Sequence, residues 1–415
     1  MKLLFVSAFY PPREIGGWEQ LTQEMVDGLR RRGHDVRVLT SVFGGGGSLP
    51  SETHVSRTLR LDNDQYRYRP WHFFLRRPVD ASHNRATLMS HLRQFAPQAV
   101  MFHSMWNLSR QLPWLAEQTL PGRVAYYVAD YWPCEPGVDE AYWVAQQERA
   151  ALRGWRRVAA RWPLRALQAE RARYRLAFEN LIYVSRAVQQ QLLERGCQPA
   201  LKGRVIHNGV DLNVFSPAAS APAGADRHLL FAGSLAPHKG LLTVLEALRR
   251  LNQDSALEPI KLRVAGSGHE DHLRQIEEAV QGLGLGGQVT MVGRVARAEM
   301  PGLYRKAYAL VFPSIWPEPL ARATQEAMAC SLPVVATPTG GTAELIESEV
   351  NGLTFSPENA AELAAQLKRL WLNPAFAAEL GQAARRTVEA RFDIQLTVSN
   401  IEAYCAELAR SHGRS

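Results

Sequence analysis

Short apolar runs of the kind that fill both faces of a parallel sheet recur along this chain in two series. In the first half they fall at residues 3–9, Asp35–Thr40, Ala99–His103, Arg123–Ala129, Leu181–Val184 and Arg204–Ile206. A sheet with one wet face alternates apolar and polar residues, so runs this continuous need cover on both sides. Trp18–Arg32, between the first two runs, has helical spacing closed by Gly33, which makes a strand–helix–strand opening. Residues 216–225, SPAASAPAGA, are composed like a linker. A second series follows at Leu229–Ala232, Leu262–Ala265, Val289–Val292, Leu310–Phe312 and Val334–Ala336, with a last short strand after Asn351-Gly352. Two doubly wound parallel-sheet α/β domains are expected, 1–215 and 216–393.

Bulk properties agree with that division. A chain of 415 residues has room for two cores, and 46% apolar with 21% charged residues is ordinary for a soluble globular protein. Cys134, Cys197, Cys330 and Cys405 share no CxxC spacing, which argues against zinc and against a disulfide framework. Reduced thiols and a cytoplasmic location are expected. The opening MKLLFVSAFYPP is too short an apolar run for a signal peptide and reads as a first buried strand. No run of 18 apolar residues exists to span a bilayer.

The net charge of +8 is local. Between Arg149 and Arg175 nine arginines stand against one acid, Glu170, which accounts for all of it. A nucleic-acid binder spreads or stripes its charge more widely. At about 100° per residue, Leu152, Trp155, Val158, Ala159 and Trp162 share about a third of a helix, opposite Arg149, Arg153, Arg156, Arg157 and Arg161. Pro163 is expected to end that helix. Either the helix is interfacial and peripheral on a membrane, or its Trp face packs inward and the arginines are solvated. Tyr66–Arg77, YRYRPWHFFLRR, is a second aromatic and basic stretch.

The chemistry concentrates in Pro313–Glu344. Glu318 and Glu326 stand seven intervening residues apart across a loop-to-helix junction. Pro317 and Pro319 keep Glu318 extended, and from about Leu320 the Ala-rich run can be helical. Free N–H groups at Ala321, Arg322 and Ala323 would then bind an anion. Upstream, Lys239-Gly240 opens another helix after a strand, where ammonium and helix dipole both favour phosphate. Gly16-Gly17 lies between the first strand and helix, but a dinucleotide fingerprint would need G-x-G-x-x-G and an acid where Thr40-Ser41 stands.

With these segments the chain resembles the retaining glycosyltransferases of family 4. YPPREIGG, VSRAVQQQLLERG, VIHNGVDLNVFSP, AGS-x5-KG, VGRV, PEPLARATQEAMA, PVVAT and GGTAE all occur in the family's order. The resemblance implies the GT-B fold: two Rossmann-like domains facing across a cleft, an acceptor-side domain and a nucleotide-sugar domain, with a terminal helix over 394–412 crossing back. It implies that Lys239 neutralises the departing diphosphate, that Glu326 accepts from the ribose hydroxyls and that Glu318 holds hydroxyls of the transferred sugar. Arg294 and Val295 would meet the base. Gly16, Gly17, Ser234, Leu320, Ala321 and Arg322 would line the donor phosphates, with Asp130 the polar group nearest the reaction.

The implied activity is transfer of a sugar from a nucleotide-sugar to a glycan or lipid-linked acceptor, in polysaccharide or glycolipid biosynthesis, without metal or other cofactor. A nucleotide-sugar epimerase and a degenerate donor-binding scaffold are the alternatives. Ser234 stands where the family usually has arginine, Ala129 where many relatives have histidine, and Ala321 and Ser331 where glycine is common. His103, ending another strand, is a further polar candidate.

Overall fold

A computed structural model describes residues 1–13, 16–45, 47–49, 51–64, 67–148, 154–196, 203–218, 227–255 and 257–410, with the side chains of 148 and 154–158 outside the description. The chain divides into two compact units, Met1–Ile206 with Val398–Ser415, and His207–Thr397.

The first unit runs β1 (Lys2–Ser7), α1 (Gly17–Arg31), β2 (Asp35–Ser41), β3 (Val55–Leu59), α2 (Pro70–Leu75), α3 (Arg77–Phe95) and β4 (Ala99–His103). It continues through α4 (Gln111–Thr119), β5 (Val124–Val128), α5 (Val138–Glu148), α6 (Gly154–Arg173), β6 (Leu181–Tyr183), α7 (Arg186–Glu194) and β7 (Gly203–Val205). The strands form one parallel sheet in the order β3-β2-β1-β4-β5-β6-β7. All residues of β4 and β5 are buried, as continuous apolar runs require. The order reverses between β1 and β4, so the carboxyl ends of these two strands border the crevice where such sheets bind ligands.

The second unit runs β8 (His228–Ala232), α8 (Leu241–Asn252), β9 (Lys261–Ala265), α9 (Glu270–Gly282), β10 (Val289–Gly293), α10 (Met300–Lys306) and β11 (Ala309–Phe312). Then come α11 (Arg322–Ala329), β12 (Val334–Ala336), α12 (Thr342–Leu345), β13 (Leu353–Thr354), α13 (Ala360–Leu372) and α14 (Pro374–Arg391). Its parallel sheet has the order β10-β9-β8-β11-β12-β13, which reverses between β8 and β11. Phe231, Val244, Leu248, Val264 and Val311 are among the buried side chains of its core.

The last helix, α15 (Ile394–Arg410), returns to the first unit. There Glu402 accepts from Arg32 at 2.7 Å and meets His34 at 2.6 Å, and Glu407 pairs with Arg204 at 2.6 Å.

The division falls ahead of the boundary expected at residue 215. Val210 pairs with Asp393, and the fully buried Phe215 packs on Tyr304 and under Arg297. Contacts inside the second unit thus claim residues 207–215. Pro163 does not end its helix either, because α6 passes through it. Pro163 is itself buried, as is Ala160, and α6 packs along α5, which offsets the missing hydrogen bond. Cys134 is disulfide-bonded, against the expectation of reduced thiols throughout, while Cys330 and Cys405 are free and buried.

Candidate active site

In the second unit the site forms at the carboxyl ends of β8 and β11, the strands that flank the reversal of order. After β8 the chain makes a single 3-10 turn, Pro237–Lys239, before α8. After β11 an irregular segment, Pro313–Pro319, with bends at Trp316 and Pro319, leads to α11. The two loops are stitched together: the Ile315 N–H donates to the His238 carbonyl at 2.9 Å. Gly240 is left-handed, with φ 72°, and a β-carbon there would stand 2.1 Å from the Pro313 carbonyl oxygen. Only glycine permits that approach.

This close packing brings Lys239 to Glu318. The ammonium nitrogen lies 2.5 Å from Glu318 Oε1, and Ser314 Oγ donates to the same oxygen at 2.5 Å. Thr337 and Thr339 hydroxyls donate to the Ser314 carbonyl and fix the loop. Glu318 is also held through its backbone. The Gly341 N–H donates to its carbonyl at 2.6 Å, and Gly340, with φ 55°, leaves no room for a β-carbon, which would lie 2.3 Å from that carbonyl oxygen. The Gly-Gly turn after β12 therefore positions a carboxylate.

Glu326 projects from α11, with a side chain only 6% exposed. Arg297 pairs with Oε1, the Tyr304 hydroxyl donates to Oε2 at 3.0 Å, and Arg322 Nε stands 3.8 Å from Oε1. The structure places the Arg322 charge beside Glu326. Arg297 and Tyr304 escaped the sequence reading. The helix starts at Arg322, with Ala321 as its N-cap and no side chain capping the first-turn N–H groups. Leu320 and Ala321 are buried beneath that end.

Ser234 follows β8 and is exposed, Arg294 follows β10 and is exposed, and Val295 beside it is half-buried. Ser331 lies past the far, C-terminal end of α11 in a left-handed conformation, with φ 57°. A serine in that conformation is strained, and it lies at the opposite end of α11 from the first-turn N–H groups.

Gly16, Gly17 and Asp130 belong to the first unit. Gly16 is the N-cap of α1, and its N–H donates to Glu19 Oε2 at 3.0 Å. Asp130 follows β5, accepts from the Trp132 N–H at 3.1 Å, and burial pushes its carboxyl up to about 7. His103 is fully buried, bonds Thr22 Oγ1 through Nδ1, and is pushed down to about 3 by burial, so it is neutral. Beyond β4 and β5 lies a cavity of about 110 Å³ lined by Asp62, Arg77, Trp106, Trp132, Asp139 and Glu170, among others. Arg77 stands 3.0 Å from Asp139 and 2.5 Å from Glu170.

Of the basic patch, Arg149 and Arg153 lie outside the described residues, as do the side chains of Trp155, Arg156 and Arg157. Arg161 and Trp162 are described and exposed, and Trp162 lays one ring face on Phe74 of α2. Among the described residues no group of three or more His, Cys, Asp or Glu side chains could hold a metal.

Similarity to known proteins decides the family. The profile described as Glycosyltransferase Family 4 matches residues 15–214, and that described as Glycosyl transferases group 1 matches residues 215–387. The chain belongs to glycosyltransferase family 4. It is 26% identical over 407 residues to a glycogen synthase of Mycobacterium tuberculosis, covering 95% of this chain and 92% of that one. It is 33% identical over 186 residues to a D-inositol 3-phosphate glycosyltransferase of an Arthrobacter species, covering 42% and 43%. Sucrose-phosphate synthase from Thermosynechococcus elongatus superposes with a TM-score of 0.75 over 99% of both chains, at 22% identity. The Anabaena protein HepE, solved with UDP and glucose, superposes with a TM-score of 0.70 at 20% identity, over 98% of this chain and 100% of that one. These likenesses assign the GT-B fold to the family 4 chain.

Proposed function

We propose that this family 4 chain is a retaining hexosyltransferase that moves a sugar from a nucleotide-sugar to a glycan or lipid-linked acceptor. The Lys239–Glu318 contact carries the reading, because it puts a cation and a hydroxyl acceptor side by side at the sheet's switch point. A diphosphate would lie on Lys239 and the first turn of α11. The transferred sugar would offer its hydroxyls to Glu318. Glu326, held by Arg297 and Tyr304, would order the nucleoside end, with Arg294 and Val295 toward the base.

In the reaction the bond from the anomeric carbon to the β-phosphate oxygen breaks. The acceptor oxygen bonds that carbon on the same face, and its proton passes to the leaving phosphate. Negative charge grows on the phosphate, where Lys239 and the N–H groups are already oriented. Such a site needs neither a protein nucleophile nor a divalent metal, and turnover in excess EDTA is expected. On the acceptor side, Asp130 and the cavity lined by Trp106 and Trp132 offer polar and aromatic surface for a sugar.

The test is a melting panel of UDP, GDP and ADP with their sugars, followed by product analysis with and without acceptor. A donor at 100 times its Kd stabilises by about 2.7 kcal/mol. A new glycoside with retained anomeric configuration supports the proposal. An epimerised or free sugar without any glycoside would indicate the epimerase, and binding without turnover the scaffold.

A further inference from the structure

Five large apolar side chains are exposed on one face of the first unit: Trp71 (48%), Phe74 (45%), Leu75 (69%), Val79 (61%) and Trp162 (61%). They are a connected surface. Trp71, Phe74 and Leu75 share one side of α2 at helical spacing, and Val79 lies four residues beyond Leu75 in the first turn of α3. Phe74 stacks on Trp162 of α6, with ring centroids 5.5 Å apart and planes 17° from parallel. Beneath them Phe73 and Trp143 are buried and pack on each other; Phe73 touches both rings and Trp143 touches Phe74, so the exposed rings stand on a packed base. Scattered apolar residues on a surface are ordinary; a contiguous aromatic patch marks contact with something apolar.

The rim is cationic. Residues 67–79 and 159–168 contain no acid. Arg67, Arg69, Arg76, Arg161 and Arg165 in these segments are exposed. Arg69 stands 3.6 Å from Asp64, whereas Arg76, Arg161 and Arg165 meet no carboxylate among the described residues. Rings at the centre and guanidinium groups around them match the two layers of an anionic bilayer surface, where rings enter the headgroup region and arginines meet phosphates. Among the described residues no helix is long and apolar enough to cross a membrane. Contact through this face would be peripheral.

We propose that the face formed by α2, the start of α3 and α6 docks on an anionic phospholipid bilayer. The proposal rests on the reading above only for its purpose, delivery of the enzyme to a lipid-borne acceptor. Docking itself needs no turnover.

Co-sedimentation of the full chain with vesicles tests it, comparing phosphatidylcholine alone with a mixture containing phosphatidylglycerol. Two variants accompany the wild type: Arg76→Gln/Arg161→Gln/Arg165→Gln and Trp71→Ser/Phe74→Ser/Trp162→Ser. Each basic side chain at such a surface is worth roughly a fivefold factor in partitioning, so the arginine variant should bind about a hundredfold more weakly. Wild type should pellet with the anionic vesicles only, and raising salt to about 1 M should release it. The melting shift with UDP, read on the same samples, should be equal in all three proteins and keeps donor binding separate from docking. Failure of the wild type to pellet, or equal pelleting of all three, overturns the proposal. So does a solution dimer that the apolar substitutions dissociate, because a second copy would then own the face. If the apolar variant misfolds, the arginine variant, altered only at exposed positions, decides alone.

Discussion

The Lys239 ammonium and the Glu318 carboxylate meet at 2.5 Å, although the two residues arrive from different strands of the sheet. An ammonium has three donors, so it can hold a phosphate and a carboxylate together. On the proposed reading Lys239 would serve two purposes, neutralising a leaving group and fixing the carboxylate that would hold the sugar. Lys239→Met should therefore weaken UDP binding tenfold or more, since a lost charge-assisted bond is worth about 1.5–3 kcal/mol. It should also lower the melting temperature, because Glu318 is left buried without its cation. Calorimetry on the folded variant checks this, and unchanged UDP affinity would sink the assignment.

Much of this arrangement is legible in the sequence. The continuous apolar runs give the parallel sheets, and the order of motifs gives the family. What escaped depends on tertiary contacts. The strand Val55–Leu59 alternates around Arg57, whose side chain is buried against Glu52 at 2.9 Å and donates to the Tyr10 carbonyl at 2.9 Å. A charged residue at a core position hides a strand from any reading of apolar pattern. Arg297 is a similar case, since nothing in VGRVARAE says that its guanidinium reaches across to α11.

Arg297→Gln should weaken binding of UDP by removing the support of Glu326. The carboxylate would keep Tyr304 and Arg322 and lose its direct guanidinium partner. A loss of about 1–3 kcal/mol in stability is expected from a buried acceptor deprived of a partner. Tyr304→Phe should cost less, about 1 kcal/mol, for one hydrogen bond from a hydroxyl. A denaturant melt of each variant, with the UDP shift measured alongside, checks the order. Equal costs would mean that Glu326 is held by something other than Arg297.

Gly340→Ala places a β-carbon against the Glu318 backbone in a left-handed position. The turn must shift, and Glu318 with it. Turnover should then fall by a hundredfold or so, in line with the cost of misplacing a catalytic group by about 1 Å. UDP affinity should change much less, because Lys239 and the start of α11 lie on other segments. Measuring kcat and the Kd for UDP separates the two. A parallel loss in both would put the Gly-Gly turn in the nucleotide site instead.

Ser331→Gly tests strain at the far end of α11. A left-handed serine costs roughly 1 kcal/mol relative to glycine, less the larger entropy that glycine loses on folding. The substitution should stabilise the protein by about 0.5 kcal/mol and leave UDP affinity unchanged. A change in donor binding would show that this helix end communicates with the cradle.

Asp130 should give a pH dependence of stability, and one of rate with the opposite sign if its carboxylate takes part in transfer. Burial holds its proton up to about 7, well above the ordinary aspartate value of 3.8. Between these values the folded protein binds a proton that the unfolded chain releases. Stability therefore falls as pH rises from about 4 to about 7, and is flat above. Asp130→Asn, neutral at every pH and still able to accept the Trp132 N–H, should abolish that slope. If the ionised carboxylate assists the acceptor hydroxyl, activity should instead rise through the same window. In the Asn variant the rate should be lower and its rise near pH 7 absent, whereas Ala129→His should change the rate less. Melts and kcat/KM profiles from pH 4 to 9 read both effects. A stability slope lost while the rate profile stays as in the wild type would make Asp130 a purely structural acid. A large gain of rate in Ala129→His would mark the chain as a weakened enzyme lacking a histidine at that strand end.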